Sequence, residues 1–301
     1  MSTRRNAASV LARLLDLAKQ GGQDYSLLLN RFGLERLLDR LTKSRHADRF
    51  LLKGALLFSL WYDEPHRPTR DADLLGFGPD DAEHLATVFR EIAAIELDDG
   101  IVFDPDSVRV DPIREDNAYG GSRIRLVGHV GNARCSLQVD VGFGDAVTPS
   151  PETARYPVLL PDFDRPTLRV YPVYTVIAEK YQAMVTLGAA NSRVKDFYDL
   201  CMIASRTSLD GQTLARAITA TFTRRITEIP AEPPLALRPA FSNDSAKQQQ
   251  WRAFLSRNRL GEIELAVAIE LLYALLWPPT QVAGSASDAT ARWDAALLKW
   301  V

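Results

Sequence analysis

The stretch Pro68-Thr69-Arg70-Asp71-Ala72-Asp73-Leu74-Leu75 decides how the rest of the chain is read. Ala72, Leu74 and Leu75 suit a short buried strand over residues 69–77, which Gly76, Gly78 and Pro79 end. On a strand Asp71 and Asp73 project to the same face, because side chains alternate with period two. Two carboxylates held 4 Å apart repel by ~1 kcal/mol in water and ~4 kcal/mol at an effective dielectric of 20. A hard, oxygen-seeking cation such as Mg²⁺ removes that penalty. Asp-x-Asp alone is also met in turns and at surface edges, so the pair needs company.

Company comes downstream, in Leu137-Gln138-Val139-Asp140-Val141. The valines face one side of this strand and Asp140 the other, where a third carboxylate would complete a two-metal cluster. Period-two patterns at Val102, Val108 and Val110 and at Ile124, Leu126 and Val130 add antiparallel strands, with turns at Gly120-Gly121 and Gly131-Asn132. Ahead of the Asp pair, residues 5–19 and 26–43 read as amphipathic helices parted by Gly21-Gly22, and 53–62 as a short helix stopped by Pro65 and Pro68. A helix over 80–96 follows, with Asp80 or Asp81 at its start. From Pro172 onward every segment is helical in character: 172–188, 194–205, 210–224, 243–257, 260–277 and 288–300, with a Pro-rich loop over 229–239. Helices, then a small mixed core, then a helical tail make an α+β chain. The expected divisions are 1–48, 49–205 and 206–301.

One lysine stands out. On a helical wheel over 172–188, Val173, Val176, Ile177, Met184 and Leu187 form one face and Lys180 falls near its centre. Such a lysine either snorkels to water or points inward at an anion, here the Asp cluster or a bound triphosphate. Because the stripe is apolar, Lys180→Met is expected to keep the fold. In the next helix Val194, Phe197, Tyr198 and Cys201 form the apolar side, which leaves Asp196 and Asp199 on the opposite one. There Lys195 and Asp199 could form an i,i+4 pair on a wet surface.

The 301 residues carry 46% hydrophobic and 25% charged side chains, enough to bury a core without disulfides or a structural metal. Two separated cysteines and four histidines without ligand spacing exclude a zinc ribbon, a disulfide scaffold and a histidine-built metal centre. The net charge of −2 hides about +5 over residues 1–50, about −9 over 51–160 and about +2 over 161–301. An acidic centre between basic flanks suits a metal site that attracts a polyanion. The longest apolar run, 265–277, is interrupted by Glu270 and falls short of the ~20 residues of a membrane span. Arg13 and Asp16 break the N-terminal stretch before it can be a signal core, so the expected location is cytoplasmic.

Taken in order, five pieces resemble the AbiEii/AbiGii abortive-infection toxins, a nucleotidyltransferase family with the DNA polymerase β-type core that includes mycobacterial MenT-like toxins. The pieces are Phe50-Leu51-Leu52-Lys53-Gly54-Ala55-Leu56, Arg67-Pro68-Thr69-Arg70-Asp71-Ala72-Asp73, Val139-Asp140-Val141-Gly142-Phe143-Gly144-Asp145, Ala178-Glu179-Lys180 and Arg193-Val194-Lys195-Asp196-Phe197-Tyr198-Asp199-Leu200. The resemblance implies a toxin that transfers nucleotides from a nucleoside triphosphate, with Mg²⁺ or Mn²⁺, to an acceptor such as the 3′ end of tRNA, and that has a cognate antitoxin. By position it implies Asp71, Asp73 and Asp140 as metal ligands and Lys180 as a triphosphate contact. Asp196 or Asp199 would be a further functional carboxylate. Lys53, Gly54, Thr69, Arg70 and Arg193 would be substrate contacts. The basic N-terminal helices and C-terminal arginines would grip RNA. Ala55 departs from the family's glycine or serine at that place and lacks a hydroxyl for a phosphate. Two other readings keep the resemblance: transfer to a protein hydroxyl (Thr69 itself included) or a small molecule, and a nucleotide- or RNA-binding module without activity.

Overall fold

Alternation along the Asp-x-Asp stretch does produce a strand, Asp71–Gly76, and it lies inside a seven-stranded mixed sheet. The computed structural model describes residues 6–62, 68–113, 120–285 and 291–301. Pro65, Arg67, Arg4 and Arg5 lie outside the described residues. The chain divides into two units, one of residues 1–144 with 152–171 and one of residues 145–151 with 172–301. The second unit thus takes in residues 145–151 and 172–205 as well as 206–301.

The first unit runs α1 (Ala7–Gly21), α2 (Tyr25–Lys43), β1 (Phe50–Lys53), α3 (Leu56–Tyr62), β2 (Asp71–Gly76), α4 (Ala82–Ala93), β3 (Val102–Ile113), β4 (Gly121–Val130), β5 (Ala133–Phe143), β6 (Glu152–Arg155) and β7 (Thr167–Val170). The sheet order is β3-β4-β5-β2-β1-β7-β6, with β2–β5 and β1–β7 parallel and the other pairs antiparallel. Local chemistry sets the helix ends. Asn6, Asp24 and Asp81 accept backbone N–H bonds as N-caps, and Gly22 takes φ +59° to end α1. On α2, Gly33 packs against Cys135 and Leu137 so closely that a Cβ there would overlap the Cys135 sulfur.

The short helix expected over 53–62 forms as Leu56–Tyr62, and Lys53 instead ends a strand, Phe50–Lys53. A short continuous apolar run buried on both faces cannot be told from a helix by periodicity. The strands β6 and β7 form one edge of the sheet. Two arginines of the basic face of α2 are buried within the fold. Arg36 and Arg40 are each 1% exposed. Arg40 grips Asp99 through two bonds of 2.6 and 3.1 Å, and Arg36 donates to the Asp164 carbonyl at 3.0 Å.

The second unit contains α5 (Val173–Leu187), α6 (Val194–Arg206), β8 (Leu209–Asp210), α7 (Gly211–Arg224), α8 (Pro239–Ser242), α9 (Ser245–Arg257), α10 (Leu265–Ser285), β9 (Arg292–Asp294) and β10 (Lys299–Trp300). Among the described residues α10 is long and apolar enough to cross a membrane. It is a core helix here, burying Leu265, Ala268, Ile269, Leu272, Leu275 and Leu276 against α6 and α7. The helix expected over 288–300 is instead a hairpin, β9–β10, with β9 paired to β8. Trp293 and Trp300 decide this. Their indole N–H groups donate to the Ala204 and Ala274 carbonyls at 2.7 and 2.9 Å, while Leu297 and Leu298 stay exposed.

Candidate active site

Strand register builds the site of the first unit. Lys53 on β1 opposes Asp73 on β2, Asp73 opposes Asp140 on β5, and Asp140 opposes Arg123 on β4. Directly opposed residues share a face, so these four form one charged row across the sheet. Asp71 lies two residues back on β2 and faces the same way, opposite Gln138. The alternate positions Ala72, Leu74, Val139, Val141 and Ile124 are buried, which locks the register.

Each charge has local support. Thr69 Oγ1 donates to Asp71 Oδ1 at 2.7 Å. Lys53 Nζ sits 5.5 Å from the centre of the Tyr171 ring. Gly54 has φ +72°, and a Cβ on it would overlap the Asp73 carboxylate. Glycine therefore does two things at once here: it allows the left-handed turn after β1 and leaves room for Asp73. Arg123 forks onto Asp140, Nε to Oδ1 at 2.9 Å and Nη2 to Oδ2 at 2.7 Å. That bond, with the charges of Asp140, Asp71 and Asp73, raises the Arg123 pKa above its ordinary value.

The donor chemistry fits a divalent cation at Asp71 and Asp73. A Mg²⁺ ion takes one or two protein carboxylates and completes its shell with phosphate oxygens and water. The expected three-carboxylate cluster is not drawn together: among the described residues no group of three His, Cys, Asp or Glu side chains is placed to hold a metal. Both oxygens of Asp140 are instead bound by Arg123.

A cleft of about 620 Å³ opens beside Asp71. Arg70, Arg125 and Arg134 line it, with Ser136, Gln138 and Asn30. Asn30 donates through Nδ2 to the Ser136 carbonyl at 3.0 Å, while its Oδ1 is buried without a protein partner. Of the three arginines only Arg70 stood out in the sequence. Arg125 and Arg134 carry no motif, though their alternation with Ile124, Leu126 and Cys135 would have placed them on a polar strand face.

The second unit gathers the remaining candidates. Lys180 on α5 donates to Asp196 Oδ1 at 2.6 Å and Asp199 Oδ2 at 2.7 Å, both on α6. Arg193 Nε donates to Asp196 Oδ2 at 2.7 Å. Lys180 does point inward, and the anions it meets within its own unit are these two aspartates. The wet face expected for α6 is corrected too, since Asp196 and Asp199 are 1% and 0% exposed. Burial alone would lower the Lys180 pKa, and the two aspartates outweigh it and hold it above the ordinary lysine value. For Asp196, burial opposes ionisation, yet Lys180 and then Arg193 keep its pKa below the usual carboxylate range. Beside this group Asp145 accepts from Arg225 at 2.9 Å.

The family model for the nucleotidyl transferase AbiEii toxin of type IV toxin–antitoxin systems matches residues 36–283. No curated protein matches the chain. Among solved structures, JHP933 from Helicobacter pylori is 15% identical with a TM-score of 0.49, over 87% of this chain and 98% of that one. A second H. pylori protein, described as a candidate nucleotidyltransferase, is 16% identical with a TM-score of 0.42, over 83% and 96%. Overlap of that order adds nothing to the family match, which spans most of the chain. The chain belongs to the AbiEii family of nucleotidyltransferase toxins of type IV toxin–antitoxin systems.

Proposed function

We propose that this toxin transfers a nucleotidyl group from a nucleoside triphosphate to the 3′-hydroxyl of an RNA, tRNA being the acceptor, in the cytoplasm, and that a cognate antitoxin restrains it. The observation that carries this is the charged row with Asp71 and Asp73 on one sheet face, flanked by a cleft with three arginines. In the reaction the acceptor hydroxyl loses its proton to solvent, its oxygen bonds to the α-phosphorus, and the bond from that phosphorus to the pyrophosphate oxygen breaks. A Mg²⁺ ion held through Asp71 and Asp73 would supply charge stabilisation at the α-phosphate. The chain's own groups do the rest. Thr69 fixes the Asp71 carboxylate. Gly54 lets Asp73 lie close over the turn. Lys53 presents a fixed cation at the end of the row, where leaving-group charge can be met. Arg70, Arg125 and Arg134 hold the acceptor's phosphodiesters, a grip that weakens with salt.

Incubating the chain with α-labelled nucleoside triphosphates, Mg²⁺ and total RNA tests this, with label on RNA the expected result. Label on the protein would redirect the transfer to a protein hydroxyl, with Thr69 the first position to map. Binding without label on any acceptor would leave a nucleotide-binding module. Gly54→Ala is expected to cut transfer about 100-fold, because displacing a site carboxylate by about 1 Å has that effect. The same change is expected to cost about 1–3 kcal/mol of stability, since alanine is strained at positive φ. Parallel transfer assays and thermal melts check both numbers.

A further inference from the structure

Asp73 and Asp140 oppose each other on neighbouring parallel strands, and Asp71 shares their face. Like charges so placed need a counter-ion. At Asp140 that counter-ion is the guanidinium of Arg123, bound through both oxygens at 2.9 and 2.7 Å. The Arg123 side chain is 34% exposed and that of Asp140 15%, so the fork on β4 is partly open to solvent while the carboxylate it holds is more enclosed. An arginine is permanently charged and its planar fork matches a carboxylate, or a phosphate, two bonds at a time. A second cation brought to Asp140 would face that charge directly.

We propose that Arg123 is the resident counter-ion of the carboxylate row, withholding Asp140 from a divalent cation until nucleotide arrives. The triphosphate supplies what the exchange needs: negative charge to accompany an incoming cation, and phosphate oxygens onto which the guanidinium can transfer. Arg123 is thus a positioning residue that acts through Asp140. It limits the nucleotide-free protein to the weaker site made by Asp71 and Asp73. This inference rests on the proposed cation site at those two residues.

The test titrates Mn²⁺ alone into the full chain without nucleotide, reading free Mn²⁺ by electron paramagnetic resonance. Arg123→Gln is expected to bind Mn²⁺ about tenfold tighter than the parent chain, because a competing charge within ~4 Å has gone. Adding Asp140→Asn to Arg123→Gln is expected to remove the gain. Unchanged affinity in Arg123→Gln, or a gain that survives Asp140→Asn, overturns the proposal. Should Arg123→Gln fail to fold, Arg123→Lys carries the test: its point charge cannot span both oxygens, so a gain of about threefold is expected. No gain in that variant is equally fatal. The pair Asp71→Asn with Asp73→Asn separates the two levels. If it binds Mn²⁺ like the parent chain, the cation site itself is wrong. If it loses binding while Arg123→Gln shows no gain, only the role of Arg123 falls.

Discussion

Asp71→Asn is expected to lower nucleotidyl transfer by about 10²–10³-fold, the usual cost of removing one charge-stabilising contact from a reacting centre. Asparagine keeps the size of the side chain and can still accept from Thr69 Oγ1, so the strand and its register should survive. Asp71 is only half-buried, and the alternate residue Ala72 provides the buried contact. The melting temperature is therefore expected to move little, since a change of about 0.5 kcal/mol is typical of such positions. Label incorporation and a thermal melt on the same preparation check the pair of outcomes. Parental activity in Asp71→Asn would place the chemistry elsewhere in the chain.

Lys180→Met is expected to destabilise the second unit by about 3–5 kcal/mol, the cost of stripping one partner from a buried ion pair. The apolar stripe of α5 suggests that methionine would be welcome there. Packing says otherwise, because Asp196 and Asp199 on α6 would lose the ammonium that neutralises them. Arg193 would remain for Asp196, but it is 38% exposed and reaches only that carboxylate's other oxygen. Neutralising both acids, with Asp196→Asn and Asp199→Asn added to Lys180→Met, should recover part of the loss. Thermal or urea melts of the three chains decide it. A Lys180→Met chain that melts like the parent yet loses transfer would return Lys180 to the triphosphate. The same group sets an acid limit. The Asp196 pKa is depressed in the fold, so its contribution is present above the unfolded value near 3.8 and is lost as pH falls below it. Melts repeated between pH 6 and about pH 3 would show that decline.

Much of this was legible from local pattern. The Asp-x-Asp stretch needed only period-two alternation to put both carboxylates on one face, and Leu137–Val141 needed the same rule for Asp140. Lys180 stood out as a cation within an apolar stripe because a helical wheel has a fixed pitch, and the wheel left both snorkelling and an inward anion open. Other features depend on partners far away in the chain. Phe50–Lys53 is a strand only because β2 and β7 flank it. Trp293 and Trp300 make a hairpin only because helix carbonyls at Ala204 and Ala274 wait for their indoles. Arg36 and Arg40 read as a basic surface until α2 is packed, when they become buried partners of Asp99 and the Asp164 carbonyl.

By itself the sequence determined which side chains share a strand face and which lie on a helix stripe, since both follow from the repeat of a single element. It also determined the family, through motifs whose order and spacing are properties of the chain. Tertiary structure alone decided who neutralises whom. Arg123 with Asp140, and Lys180 with Asp196 and Asp199, are pairings between separate elements. A charge is matched by whatever stands within a few ångströms of it, and no periodicity along one strand or helix specifies which residue of another element that will be.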